Sequence, residues 1–280
     1  MLTRIAVTSC IAVLGLAVPT QAADLDDIIY APDLPVTQPV EIGTGWYLRG
    51  DLGYSARTRG AATNYSVFNV GPPAAYAGEQ FDTSSLDSNW SGSIGMGYSF
   101  TDYLRADLTF DYAEGKFDGT TSSLLSCAGV VGGQCASIDT QDFEQYGFMA
   151  NAYVDLGTYS GFTPYVGAGA GIARVTWGAL TNDQRCVSVV GNVCGAGVAV
   201  DSTHAGEETW RFTYALMAGF SYDITKDLKL DLGYRYSKVD GGAQFSYDAV
   251  TAAAGAVGVQ SYDNGIEKHE IRAGLRYALW

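Results

Sequence analysis

The sequence has few basic residues, few histidines and no long apolar run. No stretch of 18 consecutive apolar residues occurs, so a membrane-spanning helix is not expected. Lys and Arg number 16 against 30 Asp and Glu, which gives a net charge of −14. Such an acidic chain is a poor candidate for binding nucleic acid, because that function needs basic patches. The two histidines, His204 and His269, leave little basis for histidine-centred catalysis.

The first 44 residues are expected to lie outside the folded domain. Residues 1–22 combine Arg4, the apolar run Ile5–Val18 and small residues ending at Ala22. This pattern predicts a secretory signal peptide that is cleaved after Ala22. Residues 23–44 hold three prolines among acidic residues and are predicted to form an extended periplasmic tail. Residues 45–280 form the remaining domain.

Alternation of apolar and polar residues dominates that domain. In Leu228–Ser237, leucine and tyrosine alternate with charged or small residues. Period-two alternation indicates a β-strand, because successive side chains point to opposite faces. The pattern recurs about eight times with aromatic residues at the segment ends. We therefore predict an all-β fold: a transmembrane, eight-stranded, antiparallel, up-and-down barrel with its apolar face in lipid.

The spacing of the predicted strands supports this topology. They cover Gly45–Ala56, Ser88–Phe100, Tyr103–Ala113, Gln141–Leu156, Thr163–Trp177, Thr209–Ile224, Leu228–Val239 and Ile266–Trp280. Three connections are short, whereas the other four are long: Arg57–Asp87, Glu114–Thr140, Gly178–Glu208 and Asp240–Gly265. An even strand number places both termini at the short-turn, periplasmic rim, so the four long loops are expected to be extracellular.

Four cysteines are predicted to form structural disulfides in the second and third long loops. Cys127 and Cys135 have seven residues between them, as do Cys186 and Cys194. This spacing is unlike the short spacing of zinc ligands. In an exported protein it favours the two local pairs. Crossed pairing stays open, since it requires only that the two loops meet.

Charges of both signs fall on the inward face of the predicted barrel. Because eight strands enclose an interior just wide enough for side chains, we expect a mixed charge network there. Its predicted members are Arg49, Asp51, Arg105, Asp107, Asp111, Lys229, Asp231, Arg235, Glu270, Arg272 and Arg276. A packed polar core is the first interpretation, and a narrow ion-conducting pore is the second.

Three segments resemble small outer-membrane β-barrel proteins, namely residues 97–107, 163–171 and 269–277. The resemblance is to the opacity/porin-like surface proteins of alphaproteobacteria, similar in fold to the OmpA-type membrane barrel. It implies location in the cell outer membrane, and insertion by the outer-membrane assembly machinery through an aromatic C-terminal strand. The residues that match this assembly signal are Gly274, Tyr277, Leu279 and Trp280.

The expected function is that of a structural surface protein, not an enzyme, that contributes to envelope integrity. Its loops are candidates for adhesion or ligand contact, with an external partner that the sequence does not identify. Outer-membrane lipids and lipopolysaccharide are the expected surroundings, and no cofactor or metal is expected. Two other functions stay open: a small-solute channel, and a lipid-modifying enzyme that uses His204. Binding of haem or another small ligand by the loops is a further alternative.

Overall fold

A computed structural model describes residues 45–88, 90–127 and 129–279 of the protein. The predicted signal peptide, the tail and Trp280 lie outside the described residues. Eight antiparallel strands form a closed hydrogen-bonded ring, because the last strand pairs with the first and every other strand pairs with its sequence neighbours in the ring. The predicted eight-stranded up-and-down barrel is confirmed. No helix among the described residues is long and apolar enough to cross a membrane.

The eight ring strands are β1, β5, β6, β7, β8, β11, β12 and β15. In chain order the elements are β1 Gly45–Arg59, β2 Asn64–Asn69, β3 Ala75–Gln80, β4 Thr83–Asp87, β5 Trp90–Ser99, β6 Leu104–Ser123, β7 Gln134–Asp155, β8 Phe162–Trp177, β9 Leu180–Val187, β10 Ser202–His204, β11 Glu208–Asp223, β12 Leu228–Val239, β13 Gly242–Ser246, α1 Ala249–Ala253, β14 Val259–Asp263 and β15 Ile266–Ala278.

The two faces of the ring strands follow the predicted parity. On β1, Trp46, Leu48 and Leu52 are exposed on the outside, whereas Tyr47 and Asp51 are buried inside. On β8 the glycines point inward, while the alternate apolar residues are exposed. The ring therefore presents an apolar outer surface, which is the arrangement that lipid requires.

Two of the short turns share one hydrogen-bonding scheme. The hydroxyl of Thr101 accepts from the backbone N–H of Leu104 at 3.0 Å, and that of Thr225 accepts from the N–H of Leu228 at the same distance. Local side-chain to backbone bonds of this kind stabilise tight turns. The short-turn rim is thus specified locally by the sequence.

The predicted strand ends are wrong on the opposite rim. β6 ends at Ser123 instead of Ala113, and β7 begins at Gln134 instead of Gln141. A membrane crossing needs only about 9–11 residues per strand, so these strands of 20 and 22 residues extend well beyond the ring. Beyond the ring, most residues of β6 and β7 are polar or small, so the apolar–polar alternation is weak. The sequence therefore did not predict that these outer ends pair as strands.

The long connections form a structured layer that we call the crown. It consists of β2, β3, β4, β9, β10, β13, α1 and β14 together with the outer ends of β6 and β7. β9 and β10 extend the ring sheet alongside β7. β13, β14, β2 and β3 form a separate four-stranded sheet. Two sheets therefore stand above the barrel on its long-connection rim.

Candidate functional site

The barrel interior near the short-turn rim is filled by a network centred on Arg49 and Asp107. Arg49 makes a two-pronged contact with Asp51, at 2.7 and 2.9 Å, and donates to Asp107 at 2.7 Å. Asp107 also accepts from Tyr47 and from Asn151. Every carboxylate oxygen of Asp107 thus has a donor, which offsets the cost of burying its charge.

Arg105 makes a separate contact that sequence reasoning had only partly identified. Its guanidinium pairs with Asp155 at 3.1 Å and stacks on the rings of Tyr153 and Tyr165, 4.0 and 4.9 Å from their centroids. Asp155 was not among the predicted members, since it stands at the end of β7. Aromatic faces and one carboxylate together stabilise this buried cation.

A second group of charges lies farther along the interior. Asp111 accepts from Arg235 at 2.7 Å and from Arg272 at 3.1 Å. Glu270 lies 3.7 Å from Arg272 and accepts from Ser91 at 2.6 Å. These four predicted members come from β6, β12 and β15, so the network crosses the barrel.

Of the remaining predicted members, Arg276 and Asp231 pair with each other at 3.2 Å. Lys229 does not join the network. It lies half-exposed at the short-turn rim, where it pairs with Asp223 at 2.6 Å. Lys229 was predicted to lie in the network because every second residue of β12 faces inward. Parity identifies the face on which a side chain lies but not how deep in the barrel it lies, and Lys229 is near the start of the strand.

Glycines provide the space for these interior side chains. A Cβ atom at Gly169 would collide with Asn151, and one at Gly274 would collide with Asp51. Gly274 was predicted as part of an assembly signal, and the structure gives it a packing role as well. Tyr277 and Leu279, from the same predicted signal, are exposed on the outer surface.

An apolar layer, which we call the apolar plate, closes the interior on the crown side. It contains Ala61, Leu86, Phe117, Phe143, Ala173, Val175, Trp177, Leu180, Val239, Phe245 and Ile266. The Lys268 ammonium lies 5.9 Å from the Phe143 ring centroid, where the plate meets the charge network. Two cavities lined by the charge network have volumes of about 20 Å³ each, enough for about one water molecule.

A buried ion pair attaches the crown to the barrel. Nη1 of Arg211, on β11, lies 2.8 and 2.7 Å from the two carboxylate oxygens of Asp263, on β14. Trp177 and the backbone N–H of Gly265 also donate to Asp263. Asp263 belongs to the fourth long connection and was not predicted. The aromatic residue Phe245 of that connection packs into the plate, so the connection lies against the barrel mouth.

Both local disulfides are present: Cys127 bonds to Cys135, and Cys186 bonds to Cys194. Cys135 and Cys186 are also cross-strand neighbours on β7 and β9, so the two loops do meet. The segments that the disulfides close are joined further by a 2.8 Å hydrogen bond from the N–H of Gly133 to Asn192.

His204, the residue of the alternative enzymatic hypothesis, is buried inside the crown. Its Nε2 lies 3.2 Å from the Ser202 hydroxyl, and its Nδ1 lies 3.2 Å from the backbone carbonyl of Ser246. A hydrolytic triad would need a third group that stabilises an imidazolium, usually a carboxylate. A carbonyl occupies that place here. Within the described ranges no group of three or more His, Cys, Asp or Glu side chains could hold a metal ion.

The sequence profile of the outer membrane protein beta-barrel domain family matches residues 8–278. The chain belongs to this family. It is 38% identical over 280 residues to an uncharacterized protein of Brucella suis biovar 1, with 94% of this chain and 95% of the relative covered. The protein is therefore an outer-membrane protein, with its ring in the lipid bilayer.

More distant similarities extend to surface proteins. A protein of Rickettsia bellii that is named "Putative adhesin" is 24% identical over 242 residues, covering 84% of this chain and 88% of its own. The outer membrane protein PagN of Salmonella typhimurium is 25% identical over 176 residues, which cover 59% of this chain and 68% of PagN. Among solved structures, Neisserial surface protein A is similar at 18% identity and a TM-score of 0.42, covering 84% of this chain and 98% of that protein.

Proposed function

We propose that this outer-membrane barrel is an adhesin whose crown contacts the surface of another cell. The observation that carries the proposal is an exposed apolar tip on the crown. The tip comprises residues 124–127, 129–134 and 186–200. Its exposed side chains include Leu124, Leu125, Val131, Val190, Val193 and Val198.

An exposed apolar surface on the outward end of a membrane protein needs an explanation. Soluble surfaces rarely group large apolar side chains, and where they do the group usually marks an interaction site. The lipid-facing side chains of the ring have lipid as their partner, whereas the tip lies beyond the plate and the crown sheets. Contact with an external protein or lipid surface would remove these side chains from water.

The tip is also built to hold its shape. Each disulfide spans a sequence separation of 8 residues. By loop-closure arithmetic such a small loop contributes ~2–3 kcal/mol, mostly as local stiffening. The N–H of Gly195 donates to the carbonyl of Val131 at 2.6 Å, which joins the two loops. A preorganised surface loses less conformational entropy when it binds.

The adhesin name of the Rickettsia relative supports the same proposal. The packed interior favours adhesion over the small-solute channel, because the two cavities that the charge network lines have volumes of only about 20 Å³ each. We assign lipopolysaccharide as the surrounding lipid of the outer leaflet. We also assign insertion to the outer-membrane assembly machinery, through the exposed Tyr277 of β15 and Leu279, which follows that strand.

The test compares tip variants with matched variants elsewhere on the crown. Val190 and Val198 are 106% and 82% exposed, and Val250 and Val257 are 80% and 76% exposed. We would measure adhesion to cultured epithelial cells of bacteria that express V190S/V198S or V250S/V257S. Burial of one valine contributes about 1.5 kcal/mol. The tip variant should therefore lose up to about a hundredfold in affinity, while the control stays unchanged.

Both variants should show the same surface level and the same heat-modifiable migration in gels, which establishes that the barrel has folded. Equal adhesion of the two variants, or an equal loss in both, would contradict the assignment of adhesion to the tip.

A further inference from the structure

A cavity of about 260 Å³ lies inside the crown, between its two sheets. One wall comes from β6, β7, β9 and β10, and the other from β2, β13, β14 and the start of α1. The cavity is on the far side of the apolar plate from the charge network, since Phe245 and Leu180 belong to both the plate and the cavity wall. Ser123 and Cys135, which flank the first segment of the apolar tip in the sequence, also belong to the cavity lining.

A buried carboxylate without a cationic partner lies in the cavity wall. Asp139 is only 2% exposed. Its oxygens accept from the Asn182 amide and, at 3.0 Å, from the Ser137 hydroxyl. No Lys or Arg is among the residues that line the cavity, and no cationic side chain of the described residues lies within ion-pair distance of Asp139. Burial raises the pKa of this carboxyl, although the two hydrogen bonds and the nearby imidazole of His204 oppose that shift.

Other groups in the wall are acceptors as well. Gln260 lines the cavity, and its Oε1 is buried without a hydrogen-bond partner. Asp248 caps α1 by accepting from the backbone N–H groups of Val250 and Thr251. Partial burial favours a higher pKa for Asp248. The two backbone hydrogen bonds and a third from the Thr251 hydroxyl outweigh this effect and lower the pKa. The Asp248 carboxylate is therefore ionised at neutral pH.

Aromatic rings complete the wall. Tyr65 and Phe81 lie with ring centroids 4.9 Å apart and tilted by 52°, and Phe245 belongs to the same cavity. The negative π-face of an aromatic ring attracts a cation, and this attraction increases when the cation is desolvated. Carboxylates, an unpaired carbonyl oxygen and aromatic faces all favour a positively charged guest with an apolar stem.

We propose that this cavity binds a small free alkylammonium compound, with its ammonium group at Asp139 and its alkyl stem against Tyr65, Phe81 and Phe245. An ammonium has three N–H donors, which matches the surplus of acceptors. It also supplies the charge that a buried carboxylate needs.

The same wall disfavours other ligand classes. Phosphates and the carboxylates of haem would approach two aspartates with no Lys or Arg to pair with them. His204, the histidine of the cavity, is hydrogen-bonded at both ring nitrogens, so neither nitrogen is available to a haem iron without breaking a bond. The charged or titratable groups that share the cavity with Asp139 are His204, Asp248 and Tyr65.

The test is isothermal titration of the folded full chain in detergent with n-butylammonium. The neutral isostere 1-butanol serves as the ligand control. We expect saturable binding of the ammonium and at least tenfold weaker binding of the alcohol. Absence of saturable heat with n-butylammonium, or equal affinity for the alcohol, would overturn the proposal.

Two aspartate variants separate the cavity from general surface charge. D139N removes the buried charge at nearly constant shape. D183N removes a charge from β9, where Asp183 is half-exposed and paired with Arg185. D139N should weaken n-butylammonium binding at least tenfold, whereas D183N should bind as the parent does. An equal loss in both would identify only diffuse attraction to an acidic protein.

A third variant covers the case in which D139N does not fold, as judged by heat-modifiable migration. F81L keeps an apolar side chain but removes one π-face, and it should weaken binding of the ammonium several-fold without changing that of the alcohol. Unchanged binding of n-butylammonium to F81L would count against the aromatic part of the site.

Discussion

The buried pair of Arg211 and Asp263 offers the sharpest test of how the crown is attached. In D263A, the guanidinium of Arg211 would stay buried without its carboxylate, since the two side chains are only 2% and 0% exposed. Removing one partner of a buried ion pair costs about 3–5 kcal/mol. That is a large fraction of the roughly 5–15 kcal/mol that stabilises a typical folded protein.

The assay is equilibrium unfolding by urea in phospholipid vesicles, followed by tryptophan fluorescence, because Trp177 donates to Asp263. E267A is the matched control. Glu267 also pairs across strands, with Lys238 at 2.8 Å, but both side chains are about one-third exposed (33% and 27%). An exposed pair contributes about 0–1 kcal/mol, so E267A should unfold almost as the parent does.

The double variant R211M/D263A distinguishes loss of the pair from an isolated buried charge. Replacing both members of a buried ion pair with apolar residues often changes the free energy of unfolding little. The double variant should therefore have a free energy of unfolding roughly 2 kcal/mol or more above that of D263A. Limited digestion with chymotrypsin should cut D263A first within the fourth connection, where Tyr247 is buried in the parent. A loss in D263A that does not exceed that in E267A, or no recovery in the double variant, would refute the reasoning.

Three further predictions concern the cavity, the barrel and the channel hypothesis. Because the pKa of Asp139 is raised, n-butylammonium should bind more weakly as the pH falls through that pKa and the carboxylate is protonated. Isothermal titration of D139N with n-butylammonium should change little over the same pH range. G171V should fail to fold because its Cβ would collide with the backbone carbonyl of Phe148, whereas the lipid-facing A168V should fold normally. Gel migration without boiling measures this, and a folded G171V would contradict it. The purified protein should be silent in planar lipid bilayers, and stable unitary conductance would contradict a sealed interior.

The raised pKa of Asp139 also has a consequence for stability. A carboxyl with a higher pKa in the folded state binds a proton more readily there than in the unfolded chain. This contribution to folding stability is therefore fully present below the unfolded-state pKa, and it is lost as the pH rises from that value through the raised folded-state pKa. At neutral pH without a ligand, D139N should accordingly be at least as stable as the parent.

Much of the barrel was predictable because its determinants are local. Parity along β1 identified Tyr47 and Asp51 as inward and Leu48 as outward, since every second side chain of a strand shares a face. The turn at Thr101 was predictable because it is also local: its side-chain hydrogen bonds join residues within a four-residue segment. Arg49 and Asp107 also have inward parity, and they pair with each other inside the barrel.

What failed depended on depth or on distant contacts. Lys229 has inward parity but lies at the rim, and depth is set by how far the strand continues. The ion pairs of Asp263 and Asp155 could not be predicted from a local sequence pattern, because their arginine partners are 52 and 50 residues away. The outer halves of β6 and β7 were missed, since their outward side chains meet water and the apolar signal ends there.

The period of two along the chain and the alternating lengths of the connections were enough to predict a closed, lipid-embedded barrel, and the spacing of the cysteines was enough to favour the two local disulfides. These features act between residues that are close in the sequence, so they can be read from it directly. Closure of the interior by the apolar plate, attachment of the crown through Arg211 and Asp263, and isolation of Asp139 within a cavity arose only when distant strands met. Burial and pairing of a charge depend on the neighbours that folding brings to it, and one chain segment contains no record of them.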